Sequence, residues 1–345
     1  MDELHSERDD LLAKLKAAEE DAKAAQAHIE RMQQMLHVVW PAAGFLLVGH
    51  IDAATAVCFS PEGRMLATAG RDATLRLWNP STYELMADPL VGHTGAIVGM
   101  AFSPDGAKVA TASWDGTVRV WDSATQQMVG EALGGHGEAA IGVALSRQVL
   151  ATAGEDSAVR LWDTCTQQLL DPPLVGHVGA VLDAAFSPAG DLLATCDEEG
   201  LICFWDTETR KLIAAPILGH EGPVSQVAMS PTGRFVATVS EDGSARVWDV
   251  ESRQPIGGPL ISQAKSLLCV TFSPDGQLLA AGDEEGIVRL FDFRSRRPVG
   301  SPLVGHSGPV HDVTFSADSQ MLATAGEDGT VRLWLRPPAS TLERR

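Results

Sequence analysis

A step of 43 residues constrains this chain more than any other feature. Gly-His pairs end at His50, His93, His136, His177, His220 and His306, spaced by 43, 43, 41, 43 and 86 residues. The last interval is a double step, so another repeat lies between His220 and His306, with Gln263 where its His would stand. A second series, Trp78, Trp121, Trp162, Trp205, Trp248, Phe291 and Trp334, follows these positions by 28 residues, or by 26 in the third repeat. There the stretch SRQVLAT from Ser146 replaces the SPDGAKVAT that runs from Ser103 in the second repeat, so a turn has lost two residues. The chain therefore holds seven copies of one unit, starting near residues 49, 92, 135, 176, 219, 262 and 305. A unit of this size buries its apolar face only against its neighbours. Length alone, 345 residues, suggests two or three domains, but a repeat array overrides that expectation.

Each unit shares a grammar visible in the second. AIVGMAF is an apolar strand, SPDG a turn, AKVATAS a strand, WDG a turn, TVRVWD a strand and QQMVGEAL a weaker fourth. In TVRVW, Val118 and Val120 alternate with Thr117, Arg119 and Trp121, as a strand with two differently packed faces requires. Units carrying Gly-His, then a Ser-Pro-Asp-Gly turn, a turn Asp and Trp-Asp resemble WD repeats. The resemblance spans residues 36–335 and implies an all-β fold, a seven-bladed β-propeller.

The chain after Trp334 is LRPPASTLERR, too rich in Pro and polar residues to supply a fourth strand, so 336–345 reads as a flexible tail. The segment LHVVW at 36–40, β-branched, aromatic and ended by Pro41, is the expected donor. In the family such a strand completes the last blade and removes two sheet edges.

Most units repeat a His, a Thr and an Asp that together look like a hydrolytic set, for example His93, Thr111 and Asp115. The others are His50, Thr68 and Asp72; His136, Thr152 and Asp156; His220, Thr238 and Asp242; and His306, Thr324 and Asp328. A catalytic centre needs one exposed nucleophile, whereas these sets recur with Trp six residues beyond each acid. The resemblance implies a structural Trp-Thr-His-Asp hydrogen-bond chain inside each blade. The fourth unit, with His177, Thr195 and Trp205, carries Glu199 at the Asp position. The sixth has Gln263, Ala281, Glu285 and Phe291 and so lacks all four members. Either drift or reshaping for a partner accounts for that loss.

The resemblance also implies that partners meet the loops at one end of the ring. Two positions per blade bear on that face. One precedes the turn Asp and reads Arg71, Trp114, Glu155, Glu198, Glu241, Glu284 and Glu327. The other lies on the first strand and reads Thr55, Val98, Ile141, Leu182, Ser225, Leu268 and His311. Acidic side chains through blades three to seven and an apolar sector around Val98, Trp114 and Ile141 suit a basic peptide with an apolar anchor. A solvated turn would also accept Glu before Asp. His311 reads as a lone exposed imidazole, without neighbours at metal-ligand spacing.

Residues 2–35 contain no Pro or Gly and place Leu4, Leu11, Leu15, Ala18, Ala22, Ala25, Ile29 and Met32 in steps of three and four, a heptad seam broken at Arg8. This predicts an amphipathic, coiled-coil-like α-helix over 1–35 that pairs with a second copy or another helix, or else extends into solvent. The layout is similar to that of heterotrimeric G-protein β subunits, whose helical arm pairs with a γ chain.

Net charge of −19 disfavours nucleic acid and anionic membranes, both of which need clustered Lys and Arg. The acidic start has no apolar leader and no window approaches the apolar run of a membrane helix, so a cytoplasmic protein is expected. The cysteines, Cys58, Cys165, Cys196, Cys203 and Cys269, lack paired spacing, which points to buried reduced thiols instead of disulfides or zinc. No cofactor motif is present. The expected role is a non-catalytic scaffold for protein or peptide partners. The alternatives are a regulatory or sensor module of a larger protein, and a propeller enzyme.

Overall fold

The alternation read in TVRVW recurs as a physical pattern in most third strands: in Thr330–Leu335, Val331, Leu333 and Trp334 are buried while Arg332 is only partly so. Leu201–Asp206 of blade four, with Cys203 in place of the Arg, is the exception, buried from Ile202 to Trp205. A computed structural model describes residues 44–260 and 265–336. The helical arm expected at 1–35, the strand expected at 36–40, and the tail beyond 336 lie outside the described residues.

Seven antiparallel sheets follow one another along the chain. Their first strands are Ala54–Phe59, Ile97–Phe102, Ala140–Leu145, Val181–Phe186, Val224–Met229, Leu267–Phe272 and Val310–Phe315. Each pairs with a second strand, which pairs with a third, and neighbouring first strands pack together all the way round, blade seven against blade one included. This is a closed seven-bladed propeller.

The core lies between blades. One cluster joins Leu47, Ala323, Ala325, Val331 and Leu333 of blade seven to Ala54, Val57, Phe59, Leu66 and Trp78 of blade one. Another joins Ala110, Ala112, Val118 and Val120 of blade two to Val143, Leu145, Leu150 and Trp162 of blade three. Small Ala residues on the second strands let adjacent sheets approach, and the Trp of the following blade, or Phe291 in blade six, fills the space.

At the Ser-Pro-Asp-Gly turn, Ser103 Oγ donates to Asp105 and accepts from the Lys108 N–H, while Gly106 takes φ +71°. In blade three the shortened turn closes through Ser146 N–H to Val149 O, and the strands on either side keep their pairing. The deletion costs a loop and no register.

The seventh sheet differs from expectation in one respect. Its fourth strand is Phe45–Val48, antiparallel to Thr330–Leu335 with Leu47 opposite Val331, and not the segment 36–40. The reason is in the repeat itself. The outer strand of a blade is the aliphatic pair just ahead of each Gly-His: Leu90–Val91, Leu174–Val175, Ile217–Leu218 and Leu303–Val304. Phe45–Val48 ends at that same place before Gly49 and His50, so register selects it over the higher β-propensity of LHVVW.

Candidate binding face

Every first strand carries a β-bulge, and it falls at the same place in each blade. The pairing slips between Ala54 and Ala56, Ile97 and Gly99, Ala140 and Gly142, and Val181 and Asp183. It slips again between Val224 and Gln226, Leu267 and Cys269, and Val310 and Asp312. The residue inside each bulge is Thr55, Val98, Ile141, Leu182, Ser225, Leu268 or His311, the seven first-strand positions singled out from sequence. A bulge adds a residue without a cross-strand partner and re-aims its side chain. Here all seven line one cavity of about 440 Å³ at the mouth of the central channel, together with Trp114 and Glu241.

The turn positions behave less uniformly. Trp114 stands 56% exposed at the rim. Glu155, Glu198, Glu241 and Glu284 are exposed, but Arg71 and Glu327 are half-buried because they bond each other, Nη1 to Oε1 at 2.6 Å. His311 Nε2 meets the other Glu327 oxygen at 2.5 Å, so this imidazole is not the lone exposed group expected from sequence. Burial would raise the Glu327 carboxyl, yet the bonds from His311 and Arg71 hold it below the usual range. Glu198 folds back to accept the Ala180 N–H. The uninterrupted acidic arc of blades three to seven therefore reduces, in free carboxylates, to Glu155 and Glu241, for which no described residue supplies a side-chain partner, with Glu284 further round.

Beneath the face the hydrogen-bond chain is present in six blades. In blade seven Trp334 Nε1–H donates to Thr324 Oγ1 at 3.0 Å, which lies 2.8 Å from His306 Nε2, and His306 Nδ1 is 3.0 Å from Asp328. Blades one, two, three and five repeat it through Trp78, Trp121, Trp162 and Trp248. A neutral His with its proton on Nδ1 lets Trp donate to Thr, Thr to His and His to Asp in turn, although in blade three Arg160 Nη1 also lies 2.9 Å from His136 Nδ1. Burial fits that assignment, since it lowers His50, His93, His136, His220 and His306 despite their aspartates. Asp115 and Asp328 are held at about 2: burial opposes this, but bonds from Thr117 and Thr330 and from the histidines prevail. The threonines are fully buried, each hydroxyl committed to a His and a Trp of its own blade.

Blade four corrects the sequence reading. Glu199 is exposed and does not enter the network; Asp197, two residues earlier at the end of the second strand, bonds His177 Nδ1 at 2.8 Å while Trp205 and Thr195 complete the chain. The same turn caps its own N–H groups through Asp197 Oδ1. Blade six has the matching Asp283, which pairs with Arg289, and a buried Phe291 over Ala281 where others place Trp over Thr.

Three channel residues escaped the sequence reading. Asp183, Gln226 and Asp312 follow the bulge positions, and each accepts a backbone N–H from the next blade: Val227, Val270 and Val57 respectively. Gln226 also donates to Asp312 at 3.2 Å. Burial lifts Asp183 to about 7 and Asp312 to about 6. Their signal in the sequence is a carboxylate or amide side chain right after the bulge position, where the other blades carry Ala56, Gly99, Gly142 and Cys269. Among the cysteines, Cys196, Cys203 and Cys269 are buried as expected, whereas Cys165 is exposed.

The family model for the WD domain, G-beta repeat, matches residues 44–79, 86–122, 168–206, 212–249, 259–292 and 296–334. The chain belongs to the WD-repeat family. Its third repeat, the one with the shortened turn, is not matched, yet it forms a full WD blade. WD propellers typically serve as platforms for protein interaction and are generally not enzymes. No curated protein sequence matches the chain.

Proposed function

We propose that this WD-repeat protein is a non-catalytic scaffold that captures a basic segment of a partner protein at the channel mouth, with Trp114 as the anchor. The observation that carries the reading is the bulge in every blade, which turns seven side chains into one cavity with a half-exposed indole on its rim. A monomer stabilised by its blade contacts has no need of an exposed Trp, and aromatic residues of this kind dominate binding energies. Glu155 and Glu241, together with a net charge of −19, would draw Lys and Arg toward the mouth and speed encounter. Cytoplasmic placement and self-association or helix pairing through residues 1–35 belong to the same proposal.

Capture by the full chain and by Trp114→Ala, compared at matched melting temperature, tests it. Partners should be lost with the indole. An unchanged set of captured proteins would contradict the reading.

A further inference from the structure

The third repeat departs from the others around its His. Two residues ahead of the His the five other Gly-His repeats carry Val48, Val91, Val175, Leu218 and Val304, and this one carries Gly134. One residue after it they carry Ile51, Thr94, Val178, Glu221 and Ser307, and this one carries Gly137. The aliphatic members of these series stand out from the surface, Val175 at 76% and Val178 at 78% exposure. A Cβ added at Gly134 or Gly137 would meet nothing within 4 Å, and neither glycine has a left-handed backbone. Conformation does not require glycine at either place. What the glycines provide is room.

That room is a groove of about 610 Å³ between the Trp114 turn of blade two and residues 134–139 of blade three, with Glu155 along it. Trp114 borders both this groove and the channel-mouth cavity. Glu138 and Glu155 line the groove, both residues are exposed, and no described residue bonds either side chain. A glycine floor admits a peptide backbone at close range. An indole face attracts a planar cation, and two free carboxylates favour the forked donors of guanidinium.

We propose that the Gly134–Gly137 groove holds an extended segment of the captured partner, with an arginine laid on the Trp114 indole and its guanidinium meeting Glu138 and Glu155. The inference rests on the protein-binding reading above and adds the place and the residue that the partner must supply.

The test uses the full chain with its tryptophans labelled with nitrogen-15 and a capped peptide, Gly-Ser-Gly-Arg-Gly-Ser-Gly, beside its lysine and citrulline counterparts. The Trp114 indole resonance should shift saturably with the arginine peptide, and the citrulline peptide, of the same shape without charge, should bind at least about tenfold more weakly. Gly134→Val with Gly137→Ile restores the side chains that other repeats carry. This variant should melt like the parent and lose at least about tenfold in affinity. No saturable shift at millimolar arginine peptide, or equal binding by the filled variant, overturns the proposal. If the filled variant still captures partners in a Trp114-dependent way, the groove falls and the channel-mouth scaffold stands. If Trp114→Ala leaves capture untouched, the scaffold reading itself falls.

Discussion

Arg71 of blade one reaches across the join of the ring to Glu327 of blade seven, 2.6 Å from Nη1 to Oε1, although 256 residues separate them in the chain. The pair sits on the binding face about one-third exposed, at 34% and 36%. Water screens such a pair, and its net contribution is about 0–1 kcal/mol. A double-mutant cycle with Arg71→Ala and Glu327→Gln, read by urea unfolding, should give a coupling energy below about 1 kcal/mol. A much larger value would mean that this contact, and not strand pairing, holds the ring shut.

Closure by the strand Phe45–Val48 makes the opposite prediction for Leu47. It is 3% exposed and packs among Ala325, Val331 and Leu333. Leu47→Ala should lower stability by about 2–4 kcal/mol in denaturant titration. A loss under half a kilocalorie would show that the ring closes elsewhere.

Thr238 is fully buried and bonds both His220 Nε2 and Trp248 Nε1. Thr238→Ala leaves both groups without their partner and should cost about 2–4 kcal/mol. Blade six gives the control. Ala281→Thr would bury a hydroxyl beneath Phe291, which has no N–H to offer, so the change should destabilise. A gain in stability there would show that blade six keeps a latent network.

The two kinds of titrating group in the ring oppose each other below neutral pH. The five histidines lowered by burial bind fewer protons folded than unfolded, so their contribution is lost as pH falls below about 6.5. Asp183, raised to about 7, binds its proton more tightly folded than unfolded, so its carboxyl costs stability as pH rises from about 4 to 7. Asp183→Asn should therefore gain on the parent chain between pH 5 and pH 8, measured as the difference in unfolding free energy. A gain that is flat across that range would place Asp183 in a solvated setting.

The fold was legible because the repeat is nearly exact: Gly-His and Trp positions give the blade count, and a turn deletion can be recognised as one. Positions were legible where a fixed spacing carries them, as the seven bulge residues show. Two positions differ from the sequence reading, each for its own reason. Distance from Trp205 points to Glu199, but a tight turn lets a carboxylate reach His177 from either end, and Asp197 does so. High β-propensity points to 36–40, whereas the phase of the repeat points to Phe45–Val48, the strand that pairs with Thr330–Leu335. The state of the acidic face was not legible at all. Whether Glu198 and Glu327 are free depends on Ala180 and Arg71, partners that no spacing reveals.

Amide hydrogen exchange of the full chain, with and without a partner recovered by Trp114-dependent capture, tests the central claim most directly. The account predicts slowed exchange in the turns at 114–117 and 135–139 and at the start of the first strands, the end of the ring that holds the bulges. Protection confined to the opposite end, at the turns around Pro104 and Pro188, would contradict it.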